Sequence, residues 1–210
     1  MANSAGACYS PDWASEAGLD LDVAYCITFM RRAGQREALH RLGIGDSAIR
    51  TATWTEFTAE NRQRELGHRI PGVVAAFVIG EHVVLVEDIG HWGRQPEWAE
   101  RLSRGTETLN VYLSPTSGLE ELSIYRDGNW VAFISGDAPE VIVGGDSEMA
   151  GRLIELTSEA LGPWDENDPA PEGFSDGRVD LLQVACGYLG LRPKVSDING
   201  PVLGALVEYR

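Results

Sequence analysis

Along the chain the spacing of apolar positions changes twice, and each change predicts a change of element. Leu19, Val23, Cys26 and Met30 recur at intervals of three and four, which predicts a helix over 20–32 that ends near Gly34. Ser10-Pro11 upstream is a helix-start signal, because proline is tolerated in a first turn. Gln35 to Leu42 reads as a second short helix with Gly43 as its C-terminal cap. Thr55 to Leu66 reads as a third, mostly polar, with Gly67 as its stop.

The middle of the chain has the pattern of strands. Val73 to Ile79 is apolar and β-branched, Gly80-Glu81 suits a two-residue turn, and His82 to Asp88 returns. Both faces of this hairpin are apolar, which predicts a central position in a sheet. Pro96 to Leu102 reads as a short helix. Thr106 to Leu113 alternates, with Leu109, Val111 and Leu113 on one face. Leu122 and Ile124, then Asp127-Gly128, then Trp130 to Ile134 form a second hairpin signal.

Helical spacing returns in the last third. Asp146 and Ser147 precede a stripe of Met149, Leu153, Leu156 and Ala160, and Gly162-Pro163 stops it. Residues 163–177 form an acidic Pro/Gly loop. Val179, Leu182, Cys186 and Leu189 predict a final helix, and Gly200-Pro201 leads into a short apolar tail, Val202 to Val207. Strands in the middle and helices at both ends predict an α+β fold. Its centre is an antiparallel sheet of about five strands, flanked by N-terminal and C-terminal helices. Residues 1–11 read as a disordered tail and 12–210 as a single domain.

Composition narrows the classes. The chain has 210 residues with ordinary globular content and a net charge of −15. That charge argues against nucleic acid and anionic membrane as partners and favours a basic protein. No apolar run reaches the ~18 residues of a membrane span. Residues 1–10 lack a basic segment before an apolar core, so they do not read as a secretory signal. Cys8, Cys26 and Cys186 are scattered and odd in number, which suits reduced thiols and a cytoplasmic location. Lys194 is the one lysine among 17 basic residues, an arginine skew that suggests a high-GC genome.

The most unusual stretch for chemistry is Glu87-Asp88-Ile89-Gly90-His91-Trp92-Gly93-Arg94, which follows the second central strand. As an active site, it would use Glu87 or Asp88 as acid or base and His91 as proton shuttle. As a binding surface, it would present Glu87, Asp88, His91, Trp92 and Arg94, with Trp92 as platform and Arg94 as anion clamp. The alternative is a tight turn in which Trp92 plugs the edge of the core. His40, His68, His82 and His91 have no metal-ligand spacing, so no metal site and no cofactor is predicted. Ser103 lies at a helix-to-strand joint without a GxSxG setting and reads as bonding the local backbone. Gly144-Gly145-Asp146 lacks the Lys and Ser/Thr of a P-loop and reads as a helix cap.

Several ordered segments carry a resemblance. They are Ala24 to Phe29 (AYCITF), Glu37 to Gly43 (EALHRLG), the turn from Glu87 to Gly93 with Pro96 after it, Leu102 to Thr106 (LSRGT), and Gly190 to Pro193. Over about residues 12 to 205 the chain resembles an uncharacterised family of Streptomyces and other actinobacteria, known only as a domain of unknown function. The resemblance implies an actinobacterial intracellular protein and assigns no catalytic residue. Where that family's strand-end turn carries Asn before the glycine, this chain has Asp88-Ile89.

Two functional expectations follow. The first is a small acidic interaction module that binds and neutralises or regulates a partner protein, as immunity-type or accessory proteins do. The second is an auxiliary enzyme of secondary metabolism with acid–base residues in the 87–94 turn. The oligomeric state is left open.

Overall fold

The computed structural model describes Ala14, Leu19 and residues 24–64, 70–162 and 178–209. The predicted N-terminal tail and the 163–177 loop lie outside the described residues. Eleven strands and six α-helices follow one another in the order β1 (Tyr25–Arg31), α1 (Gln35–Arg41), β2 (Arg50–Ala52), α2 (Trp54–Asn61), β3 (Ile70–Ile79), β4 (His82–Asp88), α3 (Pro96–Leu102), β5 (Glu107–Ser114), β6 (Leu119–Arg126), β7 (Asn129–Ser135), β8 (Ala138–Gly144), α4 (Ser147–Glu159), β9 (Leu161–Gly162), β10 (Arg178–Val179), α5 (Leu181–Leu189), α6 (Val195–Ile198) and β11 (Val202–Tyr209). The α+β class stands. Among the described residues the sheet has nine strands rather than about five, all antiparallel, in the order β2-β11-β3-β4-β1-β5-β6-β7-β8.

The largest departure is β1. Of the segment expected as a helix over 20–32, residues 20–23 lie outside the described residues and 25–31 are the central strand, with Ile27 opposite Val86 on one side and Val111 on the other. Tyr25, Ile27 and Phe29 face one layer of the core, while Cys26, Thr28 and Met30 face the other. A strand buried on both faces is apolar at every position, so a helical subset of its residues is found by coincidence. Val202 to Val207, expected as a tail, belongs to a strand, β11. It pairs with β3 from Leu203↔Ala76 to Tyr209↔Ile70.

The hairpin turns follow local chemistry. Gly80 takes φ +60°, and Asp127-Gly128 take +49° and +77°, the left-handed pair of a two-residue turn. Helix α2 is shorter than expected, but its start is strongly marked. The Thr53 hydroxyl accepts from Glu56 N at 3.2 Å, and the Glu56 carboxylate accepts from Thr53 N at 2.7 Å. Val179 lies in the β9–β10 ribbon rather than in the last helix, because Asp180 caps α5 by accepting from Gln183 N at 2.9 Å.

Helices cover both faces of the sheet. On one face Phe57 of α2, Leu153 and Leu156 of α4, and Leu182 and Ala185 of α5 pack on Phe29, Phe77, Val86 and Val111. On the other, Ala38 and Leu39 of α1, with Leu102 of α3, pack on Met30, Val74, Val83 and Leu85. Each fully buried side chain of this size contributes about 1.5–3 kcal/mol by leaving water. The flanking is therefore by sequence-distant helices on opposite faces, with α1 as the described N-terminal helix.

Candidate functional site

The 87–94 segment is built on the end of β4. Alternation along the strand turns Glu87 toward the α1/α3 face, and Asp88, half-buried, toward the other. Glu87 is 1% exposed. The chain then doubles back, and the carboxylate grips it. Trp92 N donates to Oε2 at 2.8 Å and Gly93 N to Oε1 at 2.7 Å. The Tyr209 hydroxyl, delivered by β11, donates to Oε2 at 3.2 Å.

Glycines allow this closeness. A Cβ on Gly72 would overlap the Tyr209 ring, and one on Gly90 would meet the Tyr209 hydroxyl and Glu87. A Cβ on Gly93 would run into Asn110 Nδ2 and Thr28 Oγ1. Those two groups continue the polar cluster. Asn110 Nδ2 donates to Thr28 Oγ1 at 2.8 Å, and Cys26 Sγ donates to Asn110 Oδ1 at 3.1 Å. Ile89, at φ +57°, is a β-branched residue in the left-handed region, a strain of about 1–3 kcal/mol that the surrounding bonds hold in place.

Burial dominates the electrostatics. It pushes the Glu87 carboxyl up to about 7, against the opposing pull of the Gly93 and Trp92 amides and Tyr209. Burial first, and the nearby Glu87 second, push the Cys26 thiol and the Tyr209 phenol well above their ordinary ranges. Cys26 is therefore a thiol at neutral pH, not a thiolate nucleophile. Burial, then Arg94, lowers His91.

The remaining predicted residues surround this core. The half-buried His91 ring lies 5.6 Å from that of Tyr209. Trp92 meets Tyr209 edge-on at 4.9 Å and Trp98 at 5.5 Å, so its indole is mostly engaged within the fold. Arg94 grips Glu121 of β6 with Nε at 2.5 Å and a second nitrogen at 2.9 Å, and lies 4.9 Å from the Tyr112 ring. Glu87, His91, Trp92 and Arg94 are thus brought together, and Asp88 is turned away through the sheet. Chemically, the arrangement can hold a proton near neutrality at Glu87. Its oxygens are directed at the turn's own backbone.

Other predicted features fall where local chemistry suggested. Ser103 Oγ donates to Glu100 O at 3.2 Å and accepts from Gly128 N at 3.1 Å. Asp146 caps α4 by accepting from Met149 N at 2.9 Å. Cys186 is buried and free. Among the described residues no group of three or more His, Cys, Asp or Glu is placed to hold a metal ion. Among them, too, no helix is long and apolar enough to cross a membrane. Tyr209, Asn110, Thr28 and Cys26 belong to the cluster but were not singled out as site residues. The available signal was a polar residue on one face of an otherwise apolar strand, at Thr28 and Asn110.

No curated protein and no solved structure matches the chain. Residues 8–148 match the model of a family of unknown function, so the resemblance to a domain of unknown function holds over these residues, while the Gly190 to Pro193 motif lies outside the match. The match includes β1 through β8 and the 87–94 turn, while Tyr209, which completes the Glu87 cluster, lies outside it. It spans more than half of the chain, which therefore belongs to that family, DUF6461.

Proposed function

We propose that the protein is an intracellular interaction module that binds a basic partner protein along the free edge of β8 and so neutralises or regulates it. One observation carries this reading. Among the described residues strand β8 ends the sheet, and its outer face is apolar: Val141 and Val143 are 51% and 46% exposed, beside Trp130 at 47%. Ile142, between them, turns inward to the core. An open strand edge offers unpaired backbone groups to an extended segment, and apolar side chains on alternate positions give it pockets. A tryptophan at such a surface is a typical anchor. The net charge of −15 attracts a basic polypeptide and accelerates its encounter. The 87–94 turn then serves as the internal clasp of the scaffold, with Trp92 and Arg94 spent on intramolecular contacts.

The test is binding of a purified partner, first isolated from the native host at low salt. Val141→Asp with Val143→Asp should weaken its affinity by about 10-fold or more, because two charges would enter a desolvated contact. Raised salt should weaken wild-type binding as well. Affinity unchanged by the double substitution removes β8 as the docking edge. Affinity lost instead on Trp92→Ala with Glu87→Gln, in a folded variant, returns the docking surface to the turn.

A second reading, an auxiliary enzyme, is favoured by one observation: Glu87 is fully buried, which pushes its carboxyl up to about 7, where a general acid–base works best. On that reading a substrate must displace the Trp92 and Gly93 amides from the carboxylate. Turnover that survives Glu87→Gln would remove it.

A further inference from the structure

Among the described residues, the only buried side-chain nitrogen or oxygen atoms without a hydrogen-bond partner are the two ring nitrogens of His82. A neutral imidazole has one donor and one acceptor nitrogen, and a buried unsatisfied pair of this kind calls for a physical reason. His82 is 7% exposed and opens β4 directly opposite Arg31 of β1. By alternation it shares a face with Val84 and Val86, the face covered by α5. Burial and the Arg31 charge both hold its pKa below the ordinary value, so the ring is uncharged at neutral pH.

The imidazole lines a recess of about 450 Å³, within the range of small-molecule sites. Arg31, Glu81 and Glu107 supply the rest of its polar wall, and Tyr188 of α5 and Leu191, just past its end, supply the apolar one. Glu107 is already neutralised by Arg126, at 2.6 and 2.9 Å. Arg31 and Glu81 form no ion pair with any described residue. A positive and a negative side chain therefore flank a neutral, unpartnered imidazole. One is its cross-strand partner and the other its chain neighbour.

We propose that this recess binds a small zwitterion with an apolar body, of the α-amino-acid class. The carboxylate is taken by the Arg31 guanidinium and, once ligand entry shifts the side chains that cover it, by the His82 N–H; the ammonium is taken by Glu81, and the apolar side chain lies against Tyr188 and Leu191. The charge pattern decides between ligand classes. A polyanion meets Glu81, the carbonyl end of α5 and the acidity of the whole chain. A simple amine meets Arg31. Only a ligand carrying both signs satisfies both walls. The ring nitrogens are covered in the unliganded chain, so a saturable change in their resonances reports ligand entry rather than surface contact.

The experiment titrates the full chain with L-leucine and with L-phenylalanine and follows the ¹⁵N resonances of the imidazoles. His82 is assigned by the signal missing from His82→Phe, a change that removes no hydrogen bond. The expected result is a saturable His82 shift. Affinity should fall about 10-fold or more for 4-methylpentanoate and for isopentylamine, which each carry one of the two charges. A similar fall is expected for L-leucine with Arg31→Gln and with Glu81→Gln, whose exposed positions leave the fold intact. Three results would overturn the proposal: no saturable His82 shift with either amino acid at about 20 mM, where even weak specific sites fill; equal affinity for the singly charged analogues; or binding undiminished in both exposed-residue variants.

Discussion

The Tyr209 hydroxyl donates to Glu87 Oε2 at 3.2 Å, joining β11 to the end of β4 across 122 positions of sequence. Glu87 in turn holds the Trp92 and Gly93 amides, so one hydroxyl ties β11 to the 87–94 turn. Tyr209→Phe keeps the ring and removes this bond. A loss of about 1 kcal/mol is expected near pH 5, where Glu87 is protonated, rising toward about 2 at pH 8, where the acceptor is charged. Urea unfolding at the two pH values measures it. An equal loss at both would mean that Glu87 does not change charge between them.

The same carboxyl makes stability depend on pH, with a definite sign. The folded chain holds the Glu87 proton up to about 7, while its ordinary value is 4.5. Between those values the native state binds more protons than the unfolded state, so stability falls as pH rises through this window. The full effect is about 3 kcal/mol from this group. Glu37, Asp46 and Glu56 are held below their ordinary values, chiefly by hydrogen bonds from Arg41, Arg36 and the Thr53 amide, so they act below this window. His82 and His91, held below 6.5 by burial, act in the opposite direction within the same window, so the Glu87→Gln urea midpoint should rise from pH 5 to pH 8 and the wild-type midpoint should fall relative to it. A wild-type midpoint that keeps pace with that of Glu87→Gln across the range would contradict the assignment.

Gly93→Ala tests the packing of the turn on the sheet. The added methyl meets Asn110 Nδ2, Thr28 Oγ1 and, at 3.1 Å, Cys26 Sγ, all held in a buried network. Overpacking of this kind should cost about 2 kcal/mol or more, read as a lowered melting temperature. A loss below about 0.5 kcal/mol would show that the turn moves freely away from the sheet.

Gly151 gives the opposite case. It lies inside α4, is exposed, and a Cβ there has nothing within 4 Å. Gly151→Ala should stabilise by about 0.5–1 kcal/mol, because alanine loses less backbone freedom on entering a helix. Thermal unfolding of this variant beside Gly93→Ala separates helix propensity from close approach within one protein.

Much of the fold was legible in local sequence. Gly80 and Asp127-Gly128 announced their hairpins because left-handed turn residues are strongly selected by backbone sterics. Asp146 announced α4, and Pro96 announced α3, for reasons confined to a few neighbouring residues. Gly43 marks the end of α1, where it takes φ +76°. The 87–94 segment stood out by composition, and four of its five candidate residues do converge.

What tertiary structure alone decided is pairing over long distance. Residues 25–31 carry a helical spacing by accident, and only the flanking β4 and β5 make them a strand, by burying both of its faces. Residues 202–209 have no neighbour in sequence to pair with, and become a strand because β3 presents an open edge. The role of Glu87 was undecided for the same reason. An acid beside glycines suits an exposed catalytic turn as well as a buried clasp, and the choice depended on Tyr209, Asn110 and Thr28 arriving from other strands. Local chemistry thus specified turns, caps and helix starts, because their energies arise within a few residues. Sheet order, the burial of Glu87 and the recess at His82 were settled by contacts between segments far apart in the chain.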